Sequence, residues 1–439
     1  MTIDTLIHAR WIIPVVPEDA VLEHHALAIQ GGRILEILPS DQAREKYSAE
    51  TVHELTQHAL IPGLINAHTH AAMSLLRGLA DDLPLMTWLN DHIWPAEGRW
   101  VSEEFVADGT RLAVAEMLRG GTTCFNDMYF FPDVAGMVSA TAGMRAVIGM
   151  ILIDFPSAWA ADADEYISRG LEVHDKFRND SLITTAFAPH APYSVSDAPL
   201  ERVRTMADEL EPSVQVHIHL HETKDEILQG LEQHGNRPMQ RLHELGLLSP
   251  SLIAVHMTHL ERDEITLFAE SGASVVHCPE SNLKLASGFC PVAELHKAGV
   301  NVAIGTDGAA SNNDLDMFSE MRTAALLAKG VANDAAAIPA ATALRMATLN
   351  GAIALGIADE TGSLELGKAA DITAVDLGSL ETQPIYHPVS QLVYATGRDK
   401  VSDVWVAGKQ LVSKGELTTL DSREIAARTQ EWFEKIREH

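Results

Sequence analysis

Short apolar runs alternate along the chain with longer stretches in which apolar positions recur every three or four residues. Eight runs read as buried strands: ALIPGLINAH, TTCFND, AVIGMILI, ITTAFAPH, VQVHIHLHE, LIAVH, SVVHC and NVAIGTD. Between several of them lie helical patterns such as SEEFVADGTRLAVAEMLRGG, which ends on glycine. Eight βα units of this size predict an α/β fold, a (β/α)8 barrel of the TIM type. A doubly wound sheet is disfavoured, because no G-x-G-x-x-G follows the first run. Towards both ends the grammar changes. AIQGGRILEIL reads as a hairpin, and so does KVSDVWVAGKQLVSKGEL, with AGK as its turn. Residues 1–57 and 365–439 are therefore expected to pair in space as one small β-sandwich-like domain, beside a catalytic barrel of residues 58–364.

Composition narrows the classes of function. The 439 residues are 46% hydrophobic and 21% charged, the balance of a globular protein. With 32 Lys and Arg against 61 Asp and Glu, the formal net charge is −29, which repels nucleic-acid backbones and anionic membranes. Three cysteines, Cys124, Cys278 and Cys290, are too few and too scattered for a disulfide framework or a Cys-rich zinc site. The first residues carry Asp4, Pro14 and Pro17 in place of a basic and then apolar leader, and no run approaches the length of a membrane span. The cytoplasm is the expected compartment and a small molecule the expected partner. A homo-oligomer is compatible with the sequence.

The strand ends carry the chemistry. Seven of the eight runs finish on or just before a polar residue: His68 and His70, Asp127, His190, His219, His256, His277 and Asp307. Barrel enzymes build their sites at these ends. One such histidine is ordinarily a satisfied core-edge group, but seven strand ends with polar residues at equivalent positions are poorly explained by chance. In His68-Thr69-His70, period-two alternation sends both imidazoles from one face, so they can share one metal ion. In VQVHIHLHET, alternation places His217, His219 and His221 on one face and does not choose among them.

The segment PGLINAHTH follows an N-terminal β stretch, and histidines at the fifth and sixth strands and an aspartate at the eighth follow it in turn. This order resembles the amidohydrolase superfamily over essentially the whole chain. The H-x-x-E of its deaminase branch matches His219 and Glu222, and TDG in NVAIGTDGAASNN matches its eighth-strand aspartate, Asp307. The resemblance implies a metal set of His68, His70, His219 and Asp307, holding zinc ahead of ferrous iron. Two-metal members bridge their ions with a carboxylated lysine at the fourth strand. Between residues 71 and 218 the only lysine is Lys176, in the helical stretch EVHDKFRND, so one divalent ion per chain is expected. Such an ion makes hydroxide available near neutrality. Asp307 would take the proton, Glu222 would protonate a ring nitrogen and then assist the leaving ammonia, and His256 would orient the water or polarise the developing alkoxide.

TWLNDHIWPAEGRW, APHAPYSVS and SNLKLASG are similar to the branch that holds adenosine-analogue deaminases and triazine hydrolases. By that resemblance Glu97 accepts the ribose 2′ and 3′ hydroxyls and His190 also contacts substrate. The expected reaction is hydrolytic deamination of 5′-methylthioadenosine and adenosine, and less well of S-adenosylhomocysteine. Many relatives carry a second arginine after the third strand that reaches the homocysteine tail. Here GMRAVIGMILID keeps Arg145 but has Gly149 and Met150 where that arginine would fall. Met150 or a neighbour is expected to supply an apolar wall, and Arg145 is the nearest cation in sequence that could replace the lost one. Two rival readings are a hydrolase of s-triazines or of a base such as guanine, which would leave Glu97 no diol to hold, and a catalytically dead assembly module, which would typically have lost metal ligands.

Overall fold

The computed structural model describes residues 1–210 and 214–437. Near the N-terminus lie β1 (Thr2–Ile12), β2 (Leu22–Gln30), β3 (Arg33–Pro39) and β4 (Ser48–Pro62). Eight parallel strands follow: β5 (Leu64–Thr69), β6 (Thr122–Tyr129), β7 (Arg145–Leu152), β8 (Ile183–Pro189), β9 (Val216–Leu220), β10 (Leu252–His256), β11 (Ser274–His277) and β12 (Asn301–Ile304). The C-terminal part adds β13 (Ile372–Asp376), β14 (Val401–Val406), β15 (Lys409–Ser413) and β16 (Glu416–Leu417).

Strands β5 to β12 pair strictly in chain order, each with the next. Most are buried along their whole length, as expected where helices cover one face of a parallel sheet and the barrel interior fills the other. The sheet curls until its last strand meets its first. There Asn66 donates its amide to Thr306 Oγ1 at 2.7 Å and accepts the Thr306 N–H at 2.9 Å, and the Asp307 N–H reaches the His68 carbonyl at 3.0 Å. Gly305 permits that approach: a Cβ there would stand 2.7 Å from the His68 nitrogen. This is the TIM-type barrel that the strand pattern predicts.

The second sheet runs β16-β15-β14-β13-β4-β1-β2-β3 and draws strands from both ends of the chain. The run ALIPGLINAH does not form one strand. Its first part completes β4 in this outer sheet, paired with β13, and its second part is β5 of the barrel. The chain crosses between the sheets at Gly63, where a Cβ would lie 2.0 Å from Thr123 Oγ1. The C-terminal stretch is not wholly β: the helix Ser422–Arg437 returns to the barrel, where Arg428 and Trp432 both donate to the buried Asp108 carboxylate.

The outer sheet is fastened at the opposite end of the barrel from the polar strand ends. Arg145, at the start of β7, donates to Asp371 at 2.8 Å, and both side chains are almost completely buried. Asp371 also accepts the Ala407 N–H at 2.7 Å. Removing one partner of a buried pair leaves an uncompensated charge, so Arg145→Met is expected to lower stability by about 3–5 kcal/mol. A denaturant titration checks this, and a change below about 1 kcal/mol, the size of a surface pair, would contradict it.

Candidate active site

The polar strand ends converge at the C-terminal mouth of the barrel. Between β5 and the helix Glu103–Arg119, the chain passes over that mouth as two helical turns, Leu85–Trp88 and Trp94–Trp100, joined by a π-turn at Leu89–Ile93. π-turns of this kind recur at functional sites. This segment, together with the ends of β6, β7 and β8, walls a cavity at the mouth of the barrel.

At its floor, His68, His219, His256 and Asp307 each present a donor atom, and these four atoms lie within 4.8 Å of one another. His70 Nε2 joins them, 3.2 Å from the Asp307 oxygen that His68 Nε2 also meets at 3.2 Å. The structure thus brings together five donors, the four that the sequence assigns to a metal and His256. Three of the imidazoles are held by their outer nitrogens. His70 Nδ1 donates to the Met128 carbonyl at 2.6 Å, His219 Nδ1 to the His190 carbonyl at 2.8 Å, and His256 Nδ1 to Asn282 Oδ1 at 2.8 Å. Each bond fixes the tautomer that leaves Nε2 bare and aimed at the cluster. His68 Nδ1 instead faces His217 Nε2 at 2.9 Å.

Asp307 is steadied from behind. Ser281 and Ser311 both donate to its Oδ2, at 2.7 and 2.9 Å, and the Gly308 N–H donates to Oδ1 at 2.8 Å. Burial alone would raise the Asp307 pKa, but hydrogen bonds and positive charge from His68 and His70 overcome it and hold the carboxyl well below its ordinary range. Burial depresses His68 to about 4 and His219 well below the usual histidine value, so both rings favour the neutral, ligating form. For His70 burial also lowers the pKa, yet the hydrogen bond and charge of Asp307 prevail and push it up to about 9. The cluster therefore calls for a positive charge among these donors. Imidazole nitrogens and one carboxylate suit zinc or ferrous iron, and this donor set fits such an ion.

The remaining sequence candidates face the same cavity. Glu222 is buried, its Oε2 3.9 Å from His256 Nε2, and burial raises its pKa. His190 lies on the wall beside His219, and burial lowers it to about 3. Glu97 reaches in from the mouth segment, where Tyr129 donates its hydroxyl to Oε1 at 2.7 Å, and burial raises its pKa against that hydrogen bond. Two other polar strand ends serve the fold. Asp127 accepts the Ala71 N–H at 2.7 Å and fixes the turn after His70, while His277 is buried and does not line the cavity.

One expectation about the missing arginine needs correction. Arg145 cannot replace it, because Arg145 begins β7 and is bound to Asp371 at the far end of the barrel. Of Met150 and its neighbours, it is the neighbours Ile151 and Ile153 that face the cavity, while Met150 packs against Gly170 of the helix Ala163–Phe177. Among the described residues, no lysine or arginine lines the cavity. Lys176 sits on that same outer helix, paired with Asp133 and remote from the donors. Sequence reasoning passed over Tyr129, Ser311 and Glu226. The first two reach the site from the end of β6 and the turn after β12, far apart in sequence, and Glu226 has the appearance of an ordinary first-turn helix acid.

Residues 59–411 match the amidohydrolase family. A protein of Teredinibacter turnerae named 5-methylthioadenosine/S-adenosylhomocysteine deaminase is 54% identical over 99% of this chain and 98% of its own length. One of the same name from Saccharophagus degradans is 51% identical over 99% of this chain and 97% of its own. Among solved structures, an adenosine deaminase from Xanthomonas campestris with bound zinc superposes with a TM-score of 0.98 at 56% identity. It covers 100% of this chain and 99% of its own.

The donor cluster and the remote Lys176 together predict a single ion. Elemental analysis of protein purified without chelators should give about one zinc or iron per chain, and His219→Ala should lose it. Two tightly held ions with a modified lysine would contradict this.

Proposed function

The chain belongs to the amidohydrolase family and is a hydrolase acting on C–N bonds, and from that premise we propose that it deaminates 5′-methylthioadenosine and adenosine, S-adenosylhomocysteine less well. The observation that carries the reading is one cavity with three features: a histidine–aspartate cluster on its floor, the buried acid Glu222 beside it, and a carboxylate, Glu97, held at its mouth.

In this reading His68, His70, His219 and Asp307 hold one divalent ion, zinc ahead of iron. Such an ion, when bound, would make a water more acidic and so supply the nucleophile near neutrality. Water adds at the purine carbon that bears the amino group, and that group leaves as ammonia, giving the inosine analogue. Asp307 accepts the proton that water gives up. Glu222, whose burial favours the protonated acid, donates to the adjacent ring nitrogen and so makes the carbon electrophilic. Left ionised by that transfer, it takes the proton of the new hydroxyl as the carbonyl forms. The proton held on Asp307 goes to the amine, which leaves as ammonia. His256, fixed by Asn282, faces the oxygen that develops at that carbon. Glu97 accepts the vicinal hydroxyls of the ribose, with Tyr129 occupying one of its oxygens. His190 makes a further contact to the purine.

In this reading the 5′ end lies against the apolar part of the lining, where Ile151 and Ile153 stand with no cation among the described residues. A methylthio group gains from such a wall. An amino-acid tail would bring a carboxylate into it, at a cost of several kcal/mol unless water or another donor replaces the missing cation.

Two experiments test the reading. Glu222→Gln should keep its metal and lose turnover by about 10²–10⁴-fold, since an amide can hydrogen-bond but cannot carry the proton. Near-normal turnover would move proton transfer elsewhere. Ammonia release measured across methylthioadenosine, adenosine, S-adenosylhomocysteine, guanine and a chlorotriazine should give methylthioadenosine the higher kcat/KM over S-adenosylhomocysteine. Equal or better use of S-adenosylhomocysteine would show that a compensating cation enters the site, and a preference for the triazine or guanine would overturn the nucleoside assignment.

A further inference from the structure

Strand β9 stops at Leu220, two residues before Glu222, and the last backbone bond from the β10 side is the Thr258 N–H to the His221 carbonyl at 3.0 Å. Beyond it, two side chains hold the peptide of Glu222. Glu226, in the first turn of the helix Lys224–His234, folds its carboxylate back. Oε1 accepts the His221 N–H at 2.9 Å and Oε2 accepts the Glu222 N–H at 2.7 Å. From the other side, Thr258 Oγ1 lies 2.7 Å from the Glu222 carbonyl and 3.1 Å from the His221 carbonyl. Between these contacts His221 is held at φ +52°, a left-handed conformation rare for a residue with a bulky side chain.

Helix capping does not account for Glu226. The sequence Thr223-x-x-Glu226 has the form of a capping box, in which the acid would reach the N–H of the capping residue itself. Thr223 does its part, its Oγ1 accepting the Glu226 N–H at 3.3 Å. The Glu226 carboxylate passes over Thr223 and engages the two residues before it. It is also buried, 5% exposed, where an exposed acid would cap equally well. Burial pushes its pKa up to about 8 even though two N–H donors favour the charged form. A side chain kept at that cost has a geometric task.

We propose that Glu226 is a positioning residue of the deaminase site, which together with Thr258 clamps the peptide of Glu222 so that its carboxyl faces the reacting ring. This rests on the reading of Glu222 as the proton-transfer group.

The test compares metal-loaded Glu226→Gln, Glu226→Asp, Thr258→Val and Glu222→Gln with the exposed control Glu232→Gln on the same helix, using 5′-methylthioadenosine. Glutamine at 226 offers one acceptor and sets an amide N–H against a backbone N–H. Its kcat should fall about 10- to 100-fold, the scale expected for a displacement of the catalytic group by about an ångström, with KM and metal content within twofold of the parent. Aspartate, which keeps both acceptor oxygens, should recover part of that loss. Thr258→Val should lower kcat in the same way, and it carries the test if the glutamine variant does not fold. A kcat within twofold of the parent in folded Glu226→Gln or Thr258→Val, with Glu222→Gln inactive, would overturn the proposal. So would a loss expressed mainly in KM or metal content. Turnover retained by Glu222→Gln would overturn the underlying reading of Glu222 instead, and this proposal with it.

Discussion

Burying Asp307 just past the end of β12 creates a carboxylate that must be compensated, and much of the barrel mouth is arranged to compensate it. His68 and His70 meet one of its oxygens, and Ser281 and Ser311 donate to the other. The residue sits at φ +64°, and its own N–H is spent on the His68 carbonyl where the barrel closes. Closing the barrel and assembling the donor cluster are therefore the same event. The glycine on which that seam depends, Gly305, is as much a part of the site as the histidines are.

Much of this was legible in the sequence because it follows simple periods. The eight apolar runs gave the eight strands, and His68-Thr69-His70 gave two rings on one face. The VQVHIHLHET run shows where periodicity ends. His217 and His219 do point inward, at different depths, one behind His68 and the other beside it. His221 lies beyond the strand, and its left-handed backbone turns the ring away to the Met239 N–H and the His259 carbonyl. A period of two cannot register a change of hand. The fate of ALIPGLINAH was hidden for a related reason: both halves are apolar, and only the close approach at Gly63 tells that they belong to different sheets. Ser281 and Ser311 behind Asp307 and the Tyr129 hydroxyl on Glu97 come from a short helix, a turn and the end of β6, so no local spacing links them.

The cavity has a polar end and an apolar end, and their physics differ. At the polar end, burial pushes Glu222 toward its protonated form and His190 toward its neutral one, so both groups favour the uncharged state there. At the apolar end, no lysine or arginine among the described residues stands on the wall, so under the proposed reading a charged tail finds no partner there. The overall charge of −29 does not change this, since surface acids lie outside the enclosed wall and are screened by salt.

The central claim is that a single ion and a ribosyl purine share this cavity, with Glu222 between them. The most direct test is anomalous diffraction at the metal edge from crystals soaked with the reaction product, 5′-methylthioinosine. The account predicts one anomalous peak among His68, His70, His219 and Asp307, the purine ring beside Glu222, and the ribose hydroxyls on Glu97. Two peaks, or a nucleoside bound with its ribose away from Glu97, would contradict it.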